Sequence, residues 1–185
     1  VEAEISDNLV KISKAKKLVL PGVGHFKKGM DNLREKGMIE VLNETVLGRK
    51  TPILGICLGM QLFTSHSEEG DKEGLNWVAG NTKQFDFGAN EKRLKFPHMG
   101  WNDIQVKKET SLFDEISFPT SFYFVHSYYV KCSNEAEVLC TTNYNYDFHS
   151  GLIKENIVGM QFHPEKSHSV GLKVLSNFTK NFGNV

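Results

Sequence analysis

The stretch Pro52-Ile-Leu-Gly-Ile-Cys57-Leu-Gly-Met-Gln61-Leu-Phe63 constrains this chain more than any other. An apolar, β-forming run from Pro52 to Ile56 leads into Gly55-Ile-Cys57-Leu-Gly59 and then into a helical pattern. This is a G-x-nucleophile-x-G elbow with cysteine at its centre, a strand-to-helix turn so sharp that the central side chain stands clear of the sheet. The flanking glycines remove Cβ atoms that would collide with neighbouring backbone. The turn leaves the amide of Leu58 facing whatever the sulfur attacks. The helix start beside Cys57 is expected to favour thiolate over thiol. The competing reading is a buried structural cysteine at a strand end, since free cysteine is among the most buried residue types.

A second motif, Asn156-Ile-Val-Gly-Met-Gln-Phe-His163-Pro-Glu165-Lys166, reads as a buried strand from Ile157 to Phe162 ending in His-Pro-Glu. Residues i and i+2 of an extended segment point the same way, and proline keeps its neighbourhood extended. Glu165 can therefore accept the ring N–H of His163 and leave the other nitrogen free to take a proton from Cys57. A plain turn would show the same three residues. A third element, Lys17-Leu-Val-Leu-Pro21-Gly22-Val23-Gly24, is another strand entering a glycine-rich turn. Acyl transfer needs N–H donors where the oxyanion forms, and such a turn can present the amides of Gly22 and Val23. An ordinary strand-ending turn fits equally well.

Taken in order, these motifs resemble the class I glutamine amidotransferases, and within that class the glutaminase subunits of imidazole glycerol phosphate synthase. Pro21-Gly-Val-Gly24, Gly55-Ile-Cys-Leu-Gly-Met-Gln61, Pro97-His-Met-Gly-Trp-Asn102, Tyr123-Phe-Val-His-Ser-Tyr128 and Gln161-Phe-His-Pro-Glu-Lys166 carry the likeness. The resemblance implies a catalytic Cys57, His163 and Glu165, with oxyanion donors from Leu58 and the Gly22-Val23 turn. It further implies a glutamine pocket at Gly24, Gln61, His126, Ser127 and Tyr128, and a docking face at Trp101, Tyr123 and Lys166. The implied reaction is hydrolysis of L-glutamine to glutamate and ammonia, with no cofactor and no metal. The implied partner is a (β/α)8-barrel cyclase, joined as a heterodimer and using the ammonia for histidine biosynthesis. A rival is a paralogous glutaminase serving an amidating enzyme of surface-polysaccharide sugar synthesis. A catalytically silent scaffold is disfavoured by the intact Cys57, His163 and Glu165, and a free-standing cysteine peptidase by the pocket motifs. The chain begins at Val1, inside what the family places at its second strand, so the first strand is expected to be missing.

The implied fold is α/β, a mostly parallel central sheet flanked by helices with additional short antiparallel strands, as one domain over residues 1–185. The alternation of the first half agrees: a strand at Leu18–Leu20, helix from Phe26 to Leu47 in two pieces, a strand at Ile53–Ile56 and a helix from Gly59 to Ser65. Strand patterns follow at Trp77–Phe87, Leu94–Val106, Ser121–Val130, Glu137–Thr142, Ser150–Lys154 and Ile157–Phe162, and a packed helix at Val170–Phe182. All three motifs fall at carboxyl strand ends, where parallel sheets place their sites. His98, Met99 and Trp101 offer apolar and aromatic surface, for a satellite core or for a partner. His25, His66, His149 and His168 have no partner spacing and read as surface or supporting residues.

With 22 basic and 22 acidic residues, the charge cancels and no Lys/Arg block suggests nucleic-acid binding. No apolar run is long enough to span a bilayer. The cysteines at Cys57, Cys132 and Cys140 lack metal-ligand spacing and fit a reducing cytoplasm.

Overall fold

The computed structural model describes residues 1–88 and 96–183. Helix α1 (Leu9–Lys14) leads into strand β1 (Leu18–Gly22), helices α2 (Phe26–Glu35) and α3 (Met38–Leu42), and a π-helical turn at Asn43–Gly48. Strand β2 (Ile53–Cys57) and the one-turn helix α4 (Leu58–Gln61) follow. Then come β3 (His66–Ser67), β4 (Lys72–Glu73), β5 (Gly80–Gln84), β6 (His98–Asp103) and β7 (Gln105–Val106). The chain continues through β8 (Ser121–His126), β9 (Tyr128–Cys132), β10 (Val138–Tyr144), β11 (Tyr146–Lys154) and β12 (Ile157–Met160) to helix α5 (His168–Lys180).

The parallel centre is β1, β2 and β12, with Gly22 opposite Cys57 and Met160 opposite Ile56. From β12 the sheet turns antiparallel through β11, β9 and β5, with β10 and β7 branching from β11 and β3 and β4 at the far end. Strands β6 and β8 form a separate antiparallel pair. The α/β architecture expected from the sequence is therefore present, as a mixed sheet built outward from three parallel strands. Central strands β2 and β12 are buried at every position, as strands covered on both faces must be. Ile53 faces Phe26, Met30, Met60 and Phe63, while Leu54 and Ile56 join Phe122, Phe124, Phe162 and Phe178 on the other side. Pro21 lies inside β1, where its missing N–H is tolerated because β1 ends the strand order of the described residues. Lys17 Nζ donates to the carbonyls of Phe178, Thr179 and Phe182, capping the end of α5 and tying it to β1.

Several boundaries differ from the sequence reading. The long helical pattern breaks at Gly37, whose φ of 64° stops α2, and runs on unbroken past Gly29. The elbow helix is one turn, not two. Ser121–Val130 is divided at Ser127, with β8 on the small sheet and β9 on the large one. The strand expected over Leu94–Val106 is divided into β6 and β7, and Leu94 and Lys95 lie outside the described residues.

At the elbow, α4 packs so closely on β1 that a Cβ on Gly59 would lie 1.8 Å from the carbonyl oxygen of Leu20. Backbone at that distance cannot yield as a side-chain tip could. Gly59→Ala should cost stability at the upper end of about 1–3 kcal/mol. Gly48→Ala, with its nearest neighbour at 4.0 Å, is the control and should change stability by less than about 0.5 kcal/mol. Urea midpoints of the two variants check this, and equal midpoints would refute the crowding.

Candidate active site at the ends of the parallel strands

Cys57 is the last residue of β2 and adopts φ 52°, ψ −109°. A non-glycine residue in that region is strained, and the elbow holds it there by burying Leu58, Gly59 and Met60 against β1 and the sheet. The sulfur lies 3.6 Å from Nε2 of Gln161 and 3.9 Å from the carbonyl of Val125. Burial pushes the thiol up to about 11, with Glu165 adding to the rise, while the Leu58 amide, Gln161 and Lys166 act the other way. This corrects the expectation of a thiolate favoured by the helix start. A single turn aligns few peptide dipoles, and desolvation of a buried sulfur anion outweighs them. A sulfur raised in this way favours the thiol over the thiolate near neutral pH. Cys132 and Cys140 are also buried, and burial pushes both up to about 12.

His163 follows β12, the neighbour of β2, so the two motifs meet although they are distant in sequence. Its main-chain N–H donates to the carbonyl of Tyr123 at 2.9 Å. Its ring Nδ1 lies 2.7 Å from Oε1 of Glu165. The carboxylate holds the proton on Nδ1, leaving Nε2 with its lone pair. Nε2 is buried and has no hydrogen-bond partner among the described residues. A buried acceptor without a partner is costly, and here it is the atom a general base would use. The pairing arises differently from the sequence reading: Pro164 opens a 3-10 turn, Pro164–Lys166, instead of prolonging the strand. Its ring suits the first position of a helical turn, where no N–H is needed.

Gly22 is the last residue of β1 and the register partner of Cys57, so strand pairing extends further into the turn than the sequence suggested. Val23, 76% exposed, and Gly24, at φ 101°, complete the turn beside the elbow. A Cβ on Gly24 would meet nothing within 4 Å, so conformation alone calls for glycine there. Gln61, on the elbow helix, donates through Nε2 to the carbonyl of Tyr128 at 2.9 Å and to Oε1 of Gln161 at 3.1 Å. Ser127 and Tyr128 are half-buried at the bend between β8 and β9. His126 ends β8 beside them. Its ring is buried and paired at both nitrogens, to the carbonyl of Tyr128 at 2.8 Å and to Nδ1 of His98 at 3.0 Å.

Trp101 and Tyr123 are cross-strand partners on β6 and β8, with ring centroids 6.1 Å apart. Lys166 Nζ sits 5.8 Å from the centre of the Tyr123 ring. His168 stacks on Trp101 at 4.8 Å, so this surface gains a residue that sequence spacing did not single out. Met99 and Trp101 are 61% and 48% exposed, while His98, on the opposite face of β6, is buried. The other residue missed is Gln161. Extended backbone places residues i and i+2 on one side, so its position two before His163 was the available signal.

Among the described residues, no group of three His, Cys, Asp or Glu side chains is placed to hold a metal ion. No helix among them is long and apolar enough to cross a membrane.

The family Glutamine amidotransferase class-I matches residues 2–182. The chain is 48% identical over 179 residues to imidazole glycerol phosphate synthase subunit HisH 2 of Methanococcus maripaludis, covering 97% of this chain and 87% of that protein. Subunit HisH 1 of Campylobacter jejuni is 49% identical over 177 residues, covering 95% and 86%. Subunit HisH of Sulfurimonas denitrificans is 50% identical over 165 residues, covering 89% and 79%. Among solved structures, one described as a glutamine amidotransferase superposes with a TM-score of 0.69 over 97% of this chain and 87% of its own, at 17% identity. That likeness concerns the fold alone. By its sequence match over nearly its whole length, the chain belongs to the class I glutamine amidotransferases.

Proposed function

We propose that this chain is the glutaminase subunit of an imidazole glycerol phosphate synthase, with residues 1–185 acting as one domain. It hydrolyses L-glutamine to glutamate and ammonia and passes the ammonia to a (β/α)8-barrel cyclase bound as a heterodimer in histidine biosynthesis. The observation that carries the chemistry is the His163 ring, held by Glu165 at Nδ1 with a buried, unpartnered Nε2, one strand from a cysteine on an elbow. Three relatives bearing the synthase subunit's name favour this acceptor over a surface-sugar amidating enzyme. The unpaired thiols at Cys57, Cys132 and Cys140 suit the cytoplasm.

In this reading Nε2 of His163 takes the thiol proton as the sulfur of Cys57 attacks the side-chain amide carbon of glutamine. The carbonyl oxygen becomes an oxyanion held by the amide of Leu58 and one from Gly22-Val23. His163 returns the proton to the departing nitrogen, which leaves as ammonia, and a thioester remains. Water then attacks, again giving its proton to His163. Glutamate leaves and the sulfur recovers its proton. Glu165 keeps the imidazole oriented and stabilises it when charged. Gly24, Gln61 and the Ser127-Tyr128 bend, with the main chain of His126, frame the glutamine.

Ammonia released without an acceptor is lost to protonation and diffusion, so basal hydrolysis should be slow and the loaded partner should stimulate it. Co-purification with the barrel subunit, followed by glutamate release with and without acceptor ligand, tests the whole reading. Absence of any complex would refute the assignment of partner. On the docking face, Trp101→Ala and Lys166→Ala should weaken partner binding at least tenfold, as loss of a central aromatic or cationic anchor does. Basal hydrolysis should change less than the stimulated rate. Equal losses in the two would move these residues from docking to support of the site.

A further inference from the structure

A continuous set of hydrogen bonds, exposed at its outer end and buried where it reaches the elbow, runs from strand β6 to the sulfur of Cys57. At its outer end Asn102 Nδ2 donates to the carbonyl of Asn143 at 2.9 Å and to Nε2 of His98 at 3.3 Å. Nδ1 of His98 meets Nε2 of His126 at 3.0 Å, and Nδ1 of His126 meets the carbonyl of Tyr128 at 2.8 Å. The same carbonyl accepts from Nε2 of Gln61 at 2.9 Å. Gln61 Nε2 also donates to Oε1 of Gln161 at 3.1 Å, and Gln161 Nε2 faces the sulfur at 3.6 Å.

Two backbone carbonyls dictate the direction of every bond in this set, because a carbonyl only accepts. Facing Tyr128, His126 must carry its proton on Nδ1, so Nε2 accepts. His98 must then carry its proton on Nδ1, and its bare Nε2 accepts from Asn102. The carbonyl of Asn143 independently requires the nitrogen end of that Asn102 amide. On the other arm, the carbonyl of Tyr128 requires the nitrogen end of Gln61. That nitrogen requires the oxygen end of Gln161, whose nitrogen end is thereby turned to Cys57. Burial pushes His98 down to about 4 and His126 down to about 3, so both rings stay neutral and neither reverses the order at ordinary pH.

We propose that Gln161 is a positioning residue for the nucleophile. Its N–H is locked toward the Cys57 sulfur by Gln61 and the Tyr128 carbonyl, and the His126–His98–Asn102 arm holds that carbonyl from the other side. The thiol proton is kept off the Gln161 side, and the anion that forms when His163 takes the proton finds a donor already in place beside the Leu58 amide. Glu165, which raises the thiol, and Lys166, which lowers it, are the charged groups that bear on the same sulfur. This inference rests on the reading of Cys57 as the nucleophile and deepens it.

The test follows iodoacetamide alkylation of Cys57 across pH, identified on its peptide, in the full chain and in Gln161→Met. Methionine keeps the volume and removes the donor. The alkylation midpoint should rise by about one pH unit, giving roughly a tenfold slower reaction at a fixed pH below it. The KM for glutamine should change less than kcat. Gln61→Met, which frees Gln161 to turn, should shift the midpoint in the same direction by less. A folded Gln161→Met protein with an unchanged midpoint overturns the proposal. Should that variant fail to fold, the 15N shifts of the unaltered protein decide: His98 and His126 are expected as neutral Nδ1–H tautomers from pH 6 to 8. An Nε2–H tautomer at either ring breaks the enforced order and overturns the proposal as well. The alkylation midpoint and the 15N shifts, which alone decide the proposal, do not use glutamine turnover, so their failure is distinct from failure of the glutaminase reading, which activity in a Cys57→Ala protein would expose.

Discussion

Cys57→Ala is expected to reduce glutamine hydrolysis by on the order of 10⁶-fold, the scale of nucleophile loss in a covalent mechanism. A complex with the proposed cyclase partner should still turn over acceptor when ammonium salts are supplied, because the partner's own step would not involve the sulfur. The variant should fold, since alanine keeps the Cβ and removes one buried atom at a position whose backbone strain, φ 52°, is unchanged. A glutamine-site alkylating analogue should label Cys57 and spare Cys132 and Cys140. All three thiols are pushed well above neutrality by burial, so low pKa cannot provide the selectivity. Under the proposed mechanism selectivity comes from a base: among the described residues Nε2 of His163 is buried without a hydrogen-bond partner and would accept the Cys57 proton, while the Cys140 sulfur meets the hydroxyl of Ser150 at 3.6 Å. Glutamate release at wild-type rates from Cys57→Ala, or equal labelling of the three thiols, would end the mechanism.

The second large effect separates the base from its orienter. His163→Ala removes both proton transfers and should cost about 10²–10⁴-fold in kcat, more if the thiol at about 11 cannot be ionised otherwise. Glu165→Gln leaves an oxygen that can accept the Nδ1 proton at the present 2.7 Å and loses only the charge facing the imidazolium. A hydrogen bond to a charged group is worth about 1.5–3 kcal/mol, so a loss of roughly 10- to 100-fold is expected. Steady-state kinetics with a glutamate readout orders the two. If Glu165→Gln were the more damaging, Glu165 would have to touch the reacting atoms, which its position on the far side of the ring does not provide.

Much of the site was legible because its parts are local. The elbow, the glycine turn and His-Pro-Glu each announce a strand ending in unusual backbone, and the order of strand and helix in the first half points to a parallel sheet. The misreadings share one cause, that periodicity carries no information about neighbours. Ser121–Val130 is a single apolar alternation in sequence, yet it serves two sheets, because the bend at Ser127 matters only to the strands it leaves and joins. His126 reads as half-buried on a strand, and only the opposing His98 shows that its ring is spent inside the molecule.

By itself, then, the sequence determined the chemistry on offer: a cysteine on a tight turn, a histidine with a carboxylate two residues on, and strand ends to hold them. Tertiary structure alone decided that β12 lies beside β2, bringing Gln161 to a sulfur 104 positions away. It also buried the sulfur, which raises the thiol where the local helix was expected to lower it. Register and desolvation are properties of what packs around a residue, and the neighbours of Cys57 come from β1, from β8 and from Gln161 just after β12, none of which adjoins it in the chain.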